Sequence, residues 1–281
     1  MADQISVKHL SGIPGTLMYP VYARAKETQM ANPIIEDSYS VDMLKQIDFD
    51  FSVFENIPDK KGFSKKDLQT GIAVRTELLD NGVREFTNKY PDGLAINMGC
   101  GLDARFFRLD NGSMRWIDVD LQEVIDLKKC LFKNSDRYKM MAASVLEKGW
   151  LDNIEINDGQ EVLLIAEGTL MYFEEEEVRG LFDSLIAKFP RATFLFEVMG
   201  SALSGKIHPT VKCLREEVVC PWGIHDYKAL ESWNPKLRLV RSDIFIDRHR
   251  DRWSFSARLL TRLFARQKPK FGHAILQMAV Q

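Results

Sequence analysis

The amino-acid sequence predicts an α/β protein with a mostly parallel sheet and helices on both of its faces. Three observations carry that expectation. Short apolar runs recur between residues 94 and 198, stretches of helical period separate them, and two glycines follow directly on the first run. Alternating strand and helix patterns call for parallel strands joined by crossover helices, and such a sheet gathers its ligands beyond the carboxyl ends of its strands.

Each element has its own signal. Residues 1–63 mix apolar and polar side chains without a sustained period, and Pro14, Pro20, Pro33 and Pro58 cut them into short pieces, so they are expected to form a helical lid. A long helix is expected from Ser64, which has Asp67 three residues on as a capping partner and Leu68, Ile72, Leu79, Val83 and Phe86 at helical spacing; Pro91 ends it. Leu94–Met98, Arg115–Asp120, Tyr138–Val145, Val162–Ala166 and Thr193–Val198 read as strands, and Glu123–Phe132 and Glu174–Phe189 as helices. Past residue 200 the pattern weakens around Pro209, Pro221 and Pro235, then resumes with a helix over Ser254–Arg266 and a last strand over Ala274–Val280. The expected organisation is a lid over 1–63 and a ligand-binding domain over 64–281, with an insertion at about 200–235.

Bulk properties narrow the partners. With 281 residues, 28 % of them charged, and a formal net charge of -2, no overall field draws the chain to nucleic acid or anionic lipid, and a small-molecule partner is expected. The oligomeric state is not legible. No apolar run reaches the length of a membrane span, and Met1–Leu10 has neither the basic start nor the apolar centre of a secretory signal, which predicts a cytoplasmic protein. Cys100, Cys130, Cys213 and Cys220 are scattered and are expected to be reduced thiols.

Four features bear on chemistry. Gly99-Cys100-Gly101-Leu102-Asp103-Ala104 fits a glycine loop that lets backbone approach a ligand closely, and Asp118 or Asp120 ends the next strand where an acid can hold ribose hydroxyls. That pattern suits a dinucleotide as well as any other nucleotide-like cofactor, and also a purely structural turn. Arg75 falls on the apolar face of the long helix, where a guanidinium facing inward needs an anion, either a ligand carboxylate or an internal salt bridge, unless the side chain snorkels to solvent. Glu167 follows a strand and could meet a ligand's ammonium, cap the next helix or pair with a lysine, whereas Glu174–Glu177 reads as a solvated first helical turn. His208, Cys213, Cys220 and His225 suggest zinc by residue type, but their spacing lacks the short cysteine knuckle and no metal is predicted. The basic stretch from Arg248 to Lys270 is interrupted by Leu259, Leu263 and Phe264, as in a helix with one buried and one solvated face.

Taken in order, Tyr22–Thr28, Arg75, Gly99–Arg105, Ile117–Ile125, Ala143–Val145, Ala166–Tyr172 and Gly272-His273 resemble the leucine carboxyl methyltransferase family, and within it the bacterial branch typified by the tetracenomycin polyketide O-methyltransferase. The resemblance implies a Rossmann-like class I fold, S-adenosylmethionine as cofactor and S-adenosylhomocysteine as product. On this sequence it implies Arg75 for the methionine carboxylate, joined by Arg24 or Lys26 from the lid. It also implies Gly99 and Gly101 under the methionine and ribose, Asp120 on the ribose hydroxyls, Ser144 and Val145 beside the adenine and Glu167 near the amino group, with Asp103 and Leu121 among the cofactor-binding residues. Two positions depart from the family: Ser144-Val145 replaces an Asp-Leu pair of the eukaryotic branch, and Gln122 replaces a usual proline.

Such chemistry is an in-line displacement, so alignment is the enzyme's main task. A carboxylate acceptor, ionised above about pH 4, needs no base, whereas a phenol with a pKa of about 10 gains from one. His208, His225 and His249 are the expected candidates, with Tyr172 as a binding residue and Trp222 and Tyr227 as walls of the acceptor pocket. A nicotinamide-dependent dehydrogenase would share the glycine loop without explaining Arg75 or Glu167, and a non-catalytic metabolite-binding protein would share all of it.

Overall fold

The structure, a computed structural model, describes residues 4–7, 14–57, 64–207 and 218–281. The short parallel pair β1 (Ile5–Ser6) and β2 (Ile47–Asp48) brackets two helices, α1 (Met18–Thr28) and α2 (Ser38–Gln46). Pro20 does not break α1, because it sits in the first turn, where its missing N–H has no intrahelical acceptor to lose. The helix lacks a polar face to give it a period: Met18, Tyr19, Val21, Tyr22, Ala23, Arg24, Ala25 and Glu27 are all buried.

Helix α3 (Lys65–Lys89) starts as expected, with the Ser64 hydroxyl accepting from the Asp67 amide at 3.2 Å and the Asp67 carboxylate accepting from the Ser64 amide at 2.8 Å. The strands β3 (Leu94–Met98), β4 (Arg115–Asp120), β5 (Tyr138–Ala142), β6 (Val162–Ala166) and β7 (Thr193–Met199) follow, with α4 (Arg105–Leu109), α5 (Gln122–Leu131) and α6 (Glu175–Lys188) between them. The short antiparallel pair β8 (Lys206–Ile207) and β9 (Val219–Cys220) precedes two long antiparallel strands, β10 (Leu237–Ile244) and β11 (His273–Val280). Strand β10 has no counterpart in the expected pattern. It is the sheet's outermost strand, its burial is intermittent, and Arg238, Arg241, Ser242 and Asp243 interrupt its apolar residues.

The seven-stranded sheet runs in the order β10-β11-β7-β6-β3-β4-β5, parallel from β7 to β5 and antiparallel at β10 and β11. From β3 the chain proceeds outward through β4 and β5, then returns to β6 on the other side of β3. The strand order therefore reverses between β3 and β6, which opens a crevice at their carboxyl ends. Two apolar layers fill the faces. One packs α1 and α3 on β3, β4 and β7 through residues such as Met18, Val74, Leu79, Ala95 and Leu195; the other packs α6 through Val178, Phe182 and Leu185.

Two expectations past residue 200 are corrected. Trp222 and Tyr227 do not wall a pocket: both are buried in the second apolar layer, with the Trp222 ring 5.8 Å from that of Trp233. The expected helix over Ser254–Arg266 is α7 (Phe255–Leu263), but its apolar face is not buried, with Leu259 at 45 %, Leu263 at 67 % and Phe264 at 50 % exposure. The helix meets the body at its first turn, where the Ser254 hydroxyl bonds Asp67 at 2.7 Å and Ala257 is covered. Its periodicity revealed an amphipathic helix, not a surface to bury it.

Candidate active site

The loops after β3 and β6 line one cavity of about 800 Å³ at the point of reversal. Gly99 and Gly101 have φ of +63° and +48°, values that favour glycine. A Cβ on Gly99 would lie 2.3 Å from the Thr169 Oγ1 beyond β6, and one on Gly101 would lie 2.9 Å from a Leu17 methyl just before α1. The loop is thus held between the strand ends and the N-terminal segment with no space for side chains.

Asp120, at the end of β4, closes the loop from the other side. Its Oδ2 accepts from the Gly101 amide at 2.7 Å and its Oδ1 from the Leu121 amide at 2.8 Å, while burial pushes its carboxyl upward. Each carboxylate oxygen retains a second lone pair, and Asp120 lines the cavity. Strand β5 stops at Ala142, earlier than the expected Val145, so that Ala143, Ser144 and Val145 turn into the cavity wall. Beneath the loop, Asp118 is buried with Lys128 at 2.7 Å, the Tyr138 hydroxyl at 2.6 Å and the Trp116 indole N–H at 2.8 Å.

The opposite wall is a chain of buried ion pairs. Arg75, carried by α3, meets Glu167 at 2.8 Å and Glu197 at 3.1 Å. Glu167 also meets Arg105 at 2.7 Å, and Arg105 pairs with Asp80 at 2.7 Å and with Asp103. Arg108 links Asp80 to Asp37 at 3.0 and 3.3 Å, and Asp37 holds Arg24 of α1 at 2.9 Å. Arg24 in turn donates to the Leu102 carbonyl at 3.1 Å, which pins α1 to the glycine loop. Burial pushes the carboxyls of Glu167 and Glu197 up, but neighbouring cations outweigh it, Arg75 foremost, and hold both below the ordinary carboxylate range. Of the expectations for Arg75, the internal salt bridge is present. Its Nε is nonetheless buried with no hydrogen-bond partner among the described residues.

All ten residues expected to hold a cofactor line this one cavity: Arg24, Arg75, Gly99, Gly101, Asp103, Asp120, Leu121, Ser144, Val145 and Glu167. Tyr172 joins them, and burial pushes its phenol up to about 12, so it stays protonated at neutral pH. Lys26 stands apart, paired with Glu55 at 3.2 Å. Of the candidate bases, His225 is exposed and outside the lining, 2.8 Å from the Ser201 hydroxyl, and His249 is held by Glu77 at 2.7 Å away from the cavity. His208 and Cys213 lie outside the described residues.

Past Arg75 the cavity turns apolar, bounded by Leu68, Ile72, Met199, Phe245, Ile246, Trp253 and Phe271. Glu197 and His273 stand at this end, and neither was expected from the sequence. The available signal was the Gly272-His273 pair opening the last strand; what brings it to the site is the antiparallel register that sets His273 beside Met199 at the carboxyl end of β7.

The family model for leucine carboxyl methyltransferase matches residues 18–186, from α1 through most of α6. The chain belongs to the leucine carboxyl methyltransferase family. The tetracenomycin polyketide synthesis O-methyltransferase TcmP of Streptomyces glaucescens is 30 % identical to it over 240 residues, 85 % of each chain. An S-adenosyl-L-methionine-dependent methyltransferase of Gibberella zeae, dpfgK, is 28 % identical over 61 % of this chain and 60 % of its own length. Among solved structures, a DUF574 family protein of Streptomyces avermitilis superposes with a TM-score of 0.52 at 12 % identity, covering 82 % of this chain and 95 % of that one, which speaks for the fold. Membership of this family removes the nicotinamide reading of the glycine loop. No helix among the described residues is long and apolar enough to cross a membrane.

Proposed function

We propose that the chain is an S-adenosylmethionine-dependent O-methyltransferase acting on a carboxylate or acidic phenol of a small, polyketide-like metabolite. Family membership supports methyl transfer from S-adenosylmethionine, and the name of the Streptomyces glaucescens relative supports oxygen as the accepting atom. The observation that carries the reading is the convergence of Arg24, Arg75, Gly99, Gly101, Asp120 and Glu167 on one cavity at the strand ends.

In this reading Arg24 and Arg75 bind the carboxylate, Glu167 and the Gly99–Gly101 loop flank the amino group and ribose, Asp120 receives the ribose hydroxyls, and Leu121, Ser144 and Val145 border the adenine. When bound, the cofactor supplies a methyl carbon on a positively charged sulfur. Of the expected lid over 1–63, the part over residues 14–57 covers the site through the Arg24 contact to Leu102, and the apolar end of the cavity aligns the acceptor and excludes water. The test is a labelled-methyl transfer screen over small carboxylic acids and phenols, with base treatment separating ester from ether. Labelled, base-labile or base-stable product is expected; tight cofactor binding with no transfer to any acceptor would leave a non-catalytic binding protein instead.

A further inference from the structure

Residues 254–271 carry Arg258, Arg262, Arg266, Lys268 and Lys270 and no aspartate or glutamate, in a chain whose formal net charge is -2. Within this segment α7 leaves its apolar side uncovered, with Phe255 at 72 % and Leu263 at 67 % exposure. We propose that the segment is a membrane-surface anchor that lays the apolar side of α7 into the headgroup boundary of an anionic lipid bilayer. The overall charge hides this local field.

The helix has the geometry of an interfacial anchor. At about 100° per residue, Phe255, Leu259 and Leu263 form one stripe, and Leu260 and Phe264 widen it. Ala257, 1 % exposed, turns to the body instead. Arg258 and Arg262 keep the same spacing one residue ahead of Leu259 and Leu263, so cations flank the stripe. From that boundary their long side chains reach lipid phosphates while the apolar residues enter the acyl region. The exposure is not that of a frayed end, because both ends are held. Before α7 the Ser254 hydroxyl bonds Asp67 at 2.7 Å, and after the single turn α8 (Lys268–Phe271) the Gly272 carbonyl accepts from the Gly200 amide at 2.7 Å. Lys268 pairs with Asp247 at 2.5 Å, whereas Arg258, Arg262, Arg266 and Lys270 form no ion pair with a described residue.

Charge and shape choose the occupant. A second copy of the chain, meeting the same face in an isologous contact, would set arginine against arginine. An acidic protein would need a groove cut to this ridge, whereas a bilayer conforms to it and supplies counter-charge to the flanking arginines. Phe271 is 50 % exposed and also lines the apolar end of the cavity, so docking sets that end of the site beside the lipid.

Vesicle flotation with the full chain tests the assignment. Vesicles of phosphatidylcholine mixed with phosphatidylglycerol should carry the protein, added salt should release it, and phosphatidylcholine alone should carry at least tenfold less. The triple variant Arg258→Gln, Arg262→Gln, Arg266→Gln should bind about 100-fold more weakly, and Leu263→Glu, which puts an acid into the apolar stripe, should not bind. Both variants should keep the wild-type thermal unfolding and S-adenosylhomocysteine affinity, since none of these side chains lines the cavity. No flotation with anionic vesicles, equal flotation with phosphatidylcholine alone, or flotation that Leu263→Glu preserves overturns the proposal. A wild-type dimer that Leu263→Glu converts to monomer, by sedimentation equilibrium, overturns it in favour of a second copy. Retention of poly-L-glutamate without flotation overturns it in favour of an acidic protein.

Discussion

Arg75 and Glu167 meet at 2.8 Å across the cavity wall, one on a helix that precedes the sheet and the other at the end of its fourth parallel strand. The pair ties α3 to the crevice and holds the guanidinium plane in place before any ligand arrives. Arg75→Ala is accordingly expected to weaken S-adenosylhomocysteine binding at least tenfold, about 1.4 kcal/mol, by calorimetry. Because Glu167 and Glu197 would lose their shared partner, the same variant should also unfold more easily, by roughly 3 kcal/mol. Arg75→Lys keeps the charge without the fork and should fall between; unchanged affinity in both would assign Arg75 to structure alone.

The glycine loop offers a second test. Gly99→Ala places a methyl 2.3 Å from the Thr169 hydroxyl at φ +63°, whereas Gly112→Ala meets nothing within 4 Å at φ +83°. Both incur the backbone term of about 1 kcal/mol, but only the first forces the β3 and β6 loops apart. Thermal unfolding should therefore show the larger loss for Gly99→Ala, and cofactor affinity should drop for that variant and not for Gly112→Ala.

Acid should loosen the cavity wall. The folded state depresses the carboxyls of Glu167 and Glu197 below their ordinary value of 4.5. Their contribution to stability is fully present above that value and is lost as pH falls below it towards the folded values. Asp120 works in the opposite sense, because burial raises its carboxyl, so it adds nothing to this acid sensitivity. Denaturant unfolding between pH 6 and about 3 should show stability falling with acid, less steeply in Glu167→Gln. An identical slope in the variant would remove Glu167 from the set of depressed carboxyls.

The pair under the loop gives a prediction about packing. Lys128 and Asp118 are both almost wholly buried, so removing one partner strands a charge. Lys128→Met should cost about 3–5 kcal/mol, and Lys128→Met with Asp118→Asn much less, measured by urea unfolding. Equal losses in the single and double variants would show that the charge on Asp118 is not what the lysine offsets.

What the sequence disclosed follows from how each element is buried. Leu94–Met98 and Val162–Ala166 are covered on both sides, so they read as unbroken apolar runs with the observed limits, and α3 announced itself through its capping box. The α1 helix carried no such sign because it is buried nearly all round, and β10 because its outer position leaves its apolar residues interrupted by charge. The ten expected cofactor residues converge on one cavity because they follow strand ends or belong to the helices beside them, which pattern and family likeness both mark. Glu197 and His273 escaped because their meeting spans 76 residues and depends on an antiparallel register, which no local spacing records. Arg105 was visible only as the last letter of the glycine loop, although it joins Glu167, Asp103 and Asp80.

The central claim is that the crevice between β3 and β6 seats S-adenosylmethionine. Isothermal titration of the wild-type protein with S-adenosylmethionine, S-adenosylhomocysteine and NAD addresses it most directly. One site per chain with a Kd of about micromolar, roughly 8 kcal/mol, is expected for the first two and no binding for the third. Binding of NAD in their place, or no binding of either adenosyl ligand, would contradict the account.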